Sequence, residues 1–197
     1  MLLEIVFNQA ALSMHQPTGP PSVACRFCGE RGRPNGRPRG RSPSGGAGRT
    51  ATSGPAKLVN RNSSKCADVE AWSKDNGGNV HQWSCRLDDD LNQKWTFRRT
   101  ADGYWNVVNE NSGKCLDIQG PSYADGAHLH QWTCSGYGSQ KWELQYTTTE
   151  YFKLVSAYSG TCMDVEGPSV NDGAQIHQWS CRNQDSNSQQ WRFFTAA

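Results

Sequence analysis

The sequence predicts an all-β domain of three internal repeats, preceded by a basic Gly/Pro/Arg-rich segment. Three observations lead there. The segment 57–97 aligns with 106–144 and 153–193, and in each copy a first Cys, a second Cys and a closing Gln-x-Trp recur together. The repeated unit consists of short apolar runs divided by Asn-Gly or Asp-Gly turn signals, with no helical periodicity. The composition also changes abruptly near residue 55. The first 56 residues hold seven Arg, nine Gly and seven Pro but no Lys, Trp or Tyr, and the remainder carries the acidic excess and all eight Trp.

Residues 1–54 are therefore expected to form a disordered or poorly structured arm or linker, and 55–197 the folded domain, with repeats at about 55–97, 104–144 and 151–194. The run 30–54 offers no apolar face to offset the entropy of ordering it. Met1–Phe7 is apolar but lacks a basic start and is interrupted by Glu4, a poor match to a signal peptide. Cys25 and Cys28 have the spacing of half a zinc site, yet no second Cys or His pair follows nearby, so an incidental pair is expected. The run Arg37–Ser42 has the look of a minor-groove arm, with Ser42 where a proline is usual, and reads as a solvated basic linker. Nucleic acid is not an expected partner. No stretch approaches the roughly 20 apolar residues of a membrane helix, so no span is expected.

Within the domain each copy starts on a short apolar strand at Leu58-Val59, Val107-Val108 or Leu154-Val155. A polar turn follows, then a strand around Cys-x-Asp. Asn76-Gly77, Asp125-Gly126 and Asp172-Gly173 next supply a hairpin turn. The return strand carries His-Gln-Trp-x-Cys, and the last carries Gln-x-Trp. The first copy has Pro55-Ala56 where the others have Tyr104-Trp105 and Tyr151-Phe152, so its opening strand is expected to be truncated and to lack an inward aromatic pair.

A hairpin centred on the Gly turn sets its flanking Cys residues opposite each other. Six Cys allow fifteen pairings, and repeat symmetry selects Cys66–Cys85, Cys115–Cys134 and Cys162–Cys181. Each bridge closes a loop that stabilises by roughly 3 kcal/mol in the chain-entropy account. Three bridges imply an oxidising compartment, hence a secreted or extracellular protein. Three units of this length fit a closed barrel capped by three hairpins, which removes exposed edges.

The series Cys-x-Asp, His-Gln-Trp-x-Cys and Gln-x-Trp resembles the ricin B-type lectins, also called family 13 carbohydrate-binding modules. The resemblance covers about residues 55–196 and implies a β-trefoil that binds saccharides of galactose or xylan type, often attached to a secreted glycoside hydrolase. The chemistry agrees. A sugar ring offers C–H patches on its faces and hydroxyls at its edge, so a site wants an aromatic plate with a carboxylate and amide beside it. The resemblance assigns these roles to Asp68, His81, Trp83, Asn92 and Gln93 in copy one, and to Asp164, His177, Trp179 and Gln189 in copy three. In copy two it assigns them to Asp117, His130, Trp132 and Gln140. Ser139 and Ser188 replace Asn92, and the loop before Gln140 is two residues shorter, which ranks the copies first, third, second.

Plain alternatives stand beside these roles. Trp83, Trp132 and Trp179 can be packing residues, the three Asp can cap turns, and the three Gln can satisfy backbone groups. Trp95, Trp142 and Trp191 read as core anchors, and Trp72 and Trp105, without counterparts, take no role. A glycosidase needs two carboxyl groups across one bond, whereas the repeated acid occurs once per copy, so no catalysis is expected. The three His lack acidic or Cys neighbours in sequence, and neither metal nor cofactor is expected. The competing reading is a trefoil scaffold for protein interaction or inhibition without a sugar site.

Overall fold

Four strands from each copy build the domain. They are β1 Thr52–Asn60, β2 Cys66–Val69, β3 Gly78–Trp83 and β4 Lys94–Arg99 in the first, and β5 Trp105–Asn109, β6 Cys115–Ile118, β7 Leu129–Trp132 and β8 Trp142–Tyr146 in the second. The third supplies β9 Phe152–Ser156, β10 Cys162–Val165, β11 Ile176–Trp179 and β12 Trp191–Phe194. The computed structural model describes residues 52–195 apart from 149 and 184. The expectations for Met1–Phe7, Cys25 and Cys28, Arg37–Ser42 and nearly all of the arm lie outside the described residues. Those described belong to the compact unit Gly45–Ala197 and contain no α-helix, only short 3-10 turns.

The first and last strands of the copies close a ring through antiparallel pairs β1–β4, β4–β5, β5–β8, β8–β9, β9–β12 and β12–β1. The middle strands form three hairpins, β2–β3, β6–β7 and β10–β11, that cap the ring. This is a β-trefoil. All three expected disulfides are present, with Cα–Cα separations of 5.1, 5.1 and 5.0 Å.

Ring and cap are joined by the Gln-x-Trp indoles. Trp95, Trp142 and Trp191 are fully buried among Leu58, Val107, Leu154 and their neighbours. Each Nε1–H donates to the carbonyl of the residue between Cys and Asp on its own cap strand: Ala67 at 3.1 Å, Leu116 at 3.2 Å and Met163 at 3.1 Å. Neighbouring copies are clasped by the buried amides of Gln82, Gln131 and Gln178. Gln82 donates to the Ser169 and Asn171 carbonyls, Gln131 to Ser73 and Asp75, and Gln178 to Ser122 and Ala124.

One expectation is corrected. The opening strand of copy one is not truncated: β1 has nine residues, the longest strand of the domain. Pro55, which has no N–H to give a ladder, lies within a register shift between Ser53 and Ala56. The expected loss of an aromatic does hold. Ala56 faces Trp95 where Trp105 faces Trp142 and Phe152 faces Trp191. An open pocket of about 280 Å³ lies beside Pro55, Ala56 and Phe193.

Replacing Trp142 by Phe keeps most of the apolar volume but leaves the Leu116 carbonyl buried without its donor. Urea unfolding of Trp142→Phe is expected to show a loss of about 1–3 kcal/mol. An unchanged midpoint would remove the indole anchor from the account.

Candidate functional site

Each cap hairpin places an acid opposite an imidazole. Asp68 pairs in register with His81, Asp117 with His130 and Asp164 with His177. Two residues beyond the His, on the same strand face, stand Trp83, Trp132 and Trp179. Their rings stack on those imidazoles at 5.4, 5.5 and 5.3 Å between centroids. Trp83 is 37% and Trp132 42% exposed, unlike the buried Gln-x-Trp indoles.

Every site is built by two copies. Trp132 lies against Gly77 of copy one, Trp179 against Gly126 of copy two, and Trp83 against Gly173 of copy three. A Cβ on these turn glycines would meet a ring edge at 3.9, 3.9 and 3.8 Å, and Gly77 has φ +84°. The residue before each glycine then caps the strand end beyond the indole. Asn76 accepts the Thr133 N–H at 2.8 Å, Asp125 that of Ser180 at 2.5 Å, and Asp172 that of Ser84 at 2.6 Å.

Beneath the indoles the acids are held from below. Gln93, Gln140 and Gln189 are fully buried and donate to Asp68, Asp117 and Asp164 at 2.7, 2.9 and 3.3 Å. Each also accepts the N–H of the residue after the second Cys and donates to a backbone carbonyl before it. Backbone satisfaction and acid positioning are thus one function. Asn92, also fully buried, donates to Asp68 at 2.9 Å and to the Val69 carbonyl. These four amides brace the acid and do not line the surface.

The copies differ where Ser139 and Ser188 replace Asn92. Both Asp68 oxygens have amide donors, whereas one oxygen of Asp117 and one of Asp164 is buried without a hydrogen-bond partner among the described residues. The cations differ too. Arg182 lies 5.6 Å over the Trp179 ring and 3.5 Å from Asp164, and Arg86 lies 5.7 Å over Trp72. Copy two has Ser135 at that position. Trp72 thus has a partner that its lack of counterparts concealed, and Trp105 packs on the core beneath Arg99.

An open cavity lies at the copy-two site, ranked last by spacing. It measures about 250 Å³ and is lined by Asp117, His130, Trp132, Tyr137, Ser139 and Pro121 among others. Sequence reasoning passed over Tyr137, which is 69% exposed and stands where the other copies have Asp90 and Ser186. Only the shortened loop before Gln140 signals it. Among the described residues no group of three or more His, Cys, Asp or Glu is placed to hold a metal, and no helix is long and apolar enough to cross a membrane.

The comparisons agree with this geometry. The ricin-type beta-trefoil lectin domain matches residues 103–196, and a ricin-type beta-trefoil lectin domain-like family matches 47–132. The designed three-fold symmetric protein ThreeFoil is 40% identical, with a TM-score of 0.68 over 73% of this chain and 100% of its own. The chain belongs to the ricin-type beta-trefoil lectin family. Carbohydrate binding is the function this family implies. The lectin domain is also similar to an exo-beta-1,3-galactanase from Clostridium thermocellum, at 35% identity and a TM-score of 0.67 over 72% of this chain and 30% of that one. The hemolytic lectin CEL-III matches at 28% identity and a TM-score of 0.58, over 72% of this chain and 30% of its own. The lectin domain thus spans about 30% of the length of those two proteins. A search of curated proteins yields no match.

Burial and local partners shift two groups at these sites, His130 and Asp164. Desolvation lowers the His130 pKa, against the opposing pull of Asp117, so the imidazole favours its neutral form. Burial pushes the Asp164 carboxyl up, but His177, Ser188, Arg182 and Gln189 outweigh it and hold the group below the ordinary carboxylate range. Because folded His130 resists protonation, its contribution is complete above the unfolded value of about 6.5 and is lost as pH falls below it. Urea midpoints measured from pH 7 to 5 are expected to decline in the wild type and to decline less in His130→Gln. Equal slopes would show that His130 does not govern this window.

Proposed function

We propose that the domain binds neutral saccharides of galactose or xylan type, as single sugars, oligosaccharides or polymer chains, chiefly in the copy-two pocket. The observation that carries this reading is the pocket itself. An exposed indole and a phenol provide plates for C–H faces, and the Asp117 carboxylate, which lines the pocket, provides an acceptor for a ring hydroxyl. His130, favoured in its neutral form, stands beside them.

Copies one and three are secondary sites in this reading, built on Asp68, His81 and Trp83 and on Asp164, His177 and Trp179. Asn92, Gln93, Gln140 and Gln189 serve as positioning residues. Single shallow sites bind weakly, and several on one rigid body gain by avidity on a polymer. The three disulfides support a secreted protein. The 35% identity over part of a galactanase supports attachment to a catalytic glycoside hydrolase as one setting for the module. The chain itself is read as non-catalytic.

Affinity electrophoresis through xylan and galactan gels tests the assignment. Trp132→Ala and Asp117→Asn are expected to weaken retention about tenfold or more, as loss of an aromatic or hydrogen-bonding anchor does, while circular dichroism stays that of the folded protein. Free galactose or xylose should compete. Retention that survives in a folded variant with Trp83, Trp132 and Trp179 all replaced by Ala would overturn the sites. Absence of any retention or competition in the wild type would favour the protein-binding scaffold.

A further inference from the structure

The three junctions between copies are closed by equivalent positions, and one differs from the other two. Asn62 of copy one donates its side-chain N–H to the Pro168 carbonyl of copy three at 2.9 Å. Asn111 of copy two does the same to the Trp72 carbonyl of copy one at 3.0 Å. The equivalent residue of copy three is Tyr158, which makes no such latch. Its ring instead stacks on Tyr123 of copy two, with centroids 4.3 Å apart and an interplanar angle of 28°.

Tyr123 faces outward for a structural reason. The carbonyls on either side of it, those of Ser122 and Ala124, both turn inward to the buried Gln178 amide. Its equivalents in copies one and three, Lys74 and Val170, are likewise exposed, so the position is free to carry any side chain. In copy two it carries a phenol that is 67% exposed.

This stack adjoins the copy-two pocket along two walls. Pro121, two residues before Tyr123, lines the pocket. Gly138, flanked by the lining residues Tyr137 and Ser139, lies against the Tyr158 ring, which a Cβ there would meet at 3.4 Å. Trp132 and Tyr137 line the pocket and Tyr158 and Tyr123 adjoin its rim, whereas the other two junctions have no tyrosine at the equivalents of 123, 137 or 158.

We propose that Tyr123 and Tyr158 form an outer saccharide subsite continuous with the copy-two pocket, so that this site grips adjoining units of a sugar chain. The inference rests on the saccharide reading of that pocket. A pyranose chain presents C–H faces in succession. Tyr158, half-buried, backs the Tyr123 ring by stacking on it, and the outward face of Tyr123 is left for a unit beyond the one in the pocket. Two tyrosines offer this area at low cost in side-chain entropy. A protein partner would need a larger surface than this strip, so a saccharide chain is the occupant the chemistry favours.

Calorimetric titration with xylo- and β-1,3-galacto-oligosaccharides of one to four units tests the proposal, in a background carrying Trp83→Ala and Trp179→Ala. Affinity is expected to rise about tenfold from one unit to three. In Tyr123→Val/Tyr158→Asn, which installs the copy-three side chain at 123 and the latch residue of the other copies at 158, that ratio should collapse toward one. Thermal unfolding of the pair of proteins checks that both remain folded. A ratio near one in the starting protein, or the same ratio in the folded variant, overturns the outer subsite. Sugar binding that Trp132→Ala abolishes, without gain from added units, overturns the subsite alone. Binding of no saccharide of any length overturns the pocket reading with it.

Discussion

The domain depends on a donor buried where water cannot replace it. The indole N–H of each Gln-x-Trp reaches the carbonyl between Cys and Asp on the cap strand of its own copy. On a strand, fixing the residue before the Asp also fixes the face on which the Asp emerges. The Gln two positions earlier then holds that carboxylate. One tripeptide per copy therefore joins ring to cap and aims the acid, and its cost if broken is that of an orphaned buried carbonyl.

Closure makes the three copies interdependent. The ring is complete only when β12 meets β1, strands from opposite ends of the domain. Copies one and three are joined a second time in the cap, where Gln82 clasps the turn at Ser169 and Asn171 and Asp172 caps Ser84. Because each cap indole leans on a turn glycine from its neighbour, no copy builds its candidate site alone. The three disulfides, by contrast, act within single copies and hold each hairpin to itself.

Repetition made the frame legible. Cys spacing, Gln-x-Trp and the Gly turns recur because every copy must form the same ring strands and the same hairpin, so the pairing and the trefoil follow from one chain. The acids, imidazoles and exposed indoles recur with them. What repetition hides is anything present once. Tyr137, Tyr123, Tyr158 and the partnership of Trp72 with Arg86 have no periodic signature, and their meaning lies in which turns the fold makes neighbours. The buried state of Asn92 and the three Gln was equally invisible, since an amide that contacts ligand and one that braces an acid look alike in sequence. The length of β1 was missed because Pro55-Ala56 stands where the other copies have an aromatic pair, whereas the strand continues through a register shift that accommodates Pro55.

The shared frame yields three unequal entrances. In copy three a ligand stacking on Trp179 competes with Arg182, a cation–π contact of about 0.5–1 kcal/mol when exposed. In copy one the corresponding guanidinium lies over Trp72, and both oxygens of Asp68 accept amide donors. Copy two differs from both: Ser135 replaces the Arg, Ser139 replaces the Asn, and Tyr137 supplies a second wall. The ring positions differ in size and still pair, as Ala56, Trp105 and Phe152 show, while the turns differ in chemistry. The differences among the three entrances therefore lie in the turns, and the copy with the shortened turn has an open pocket.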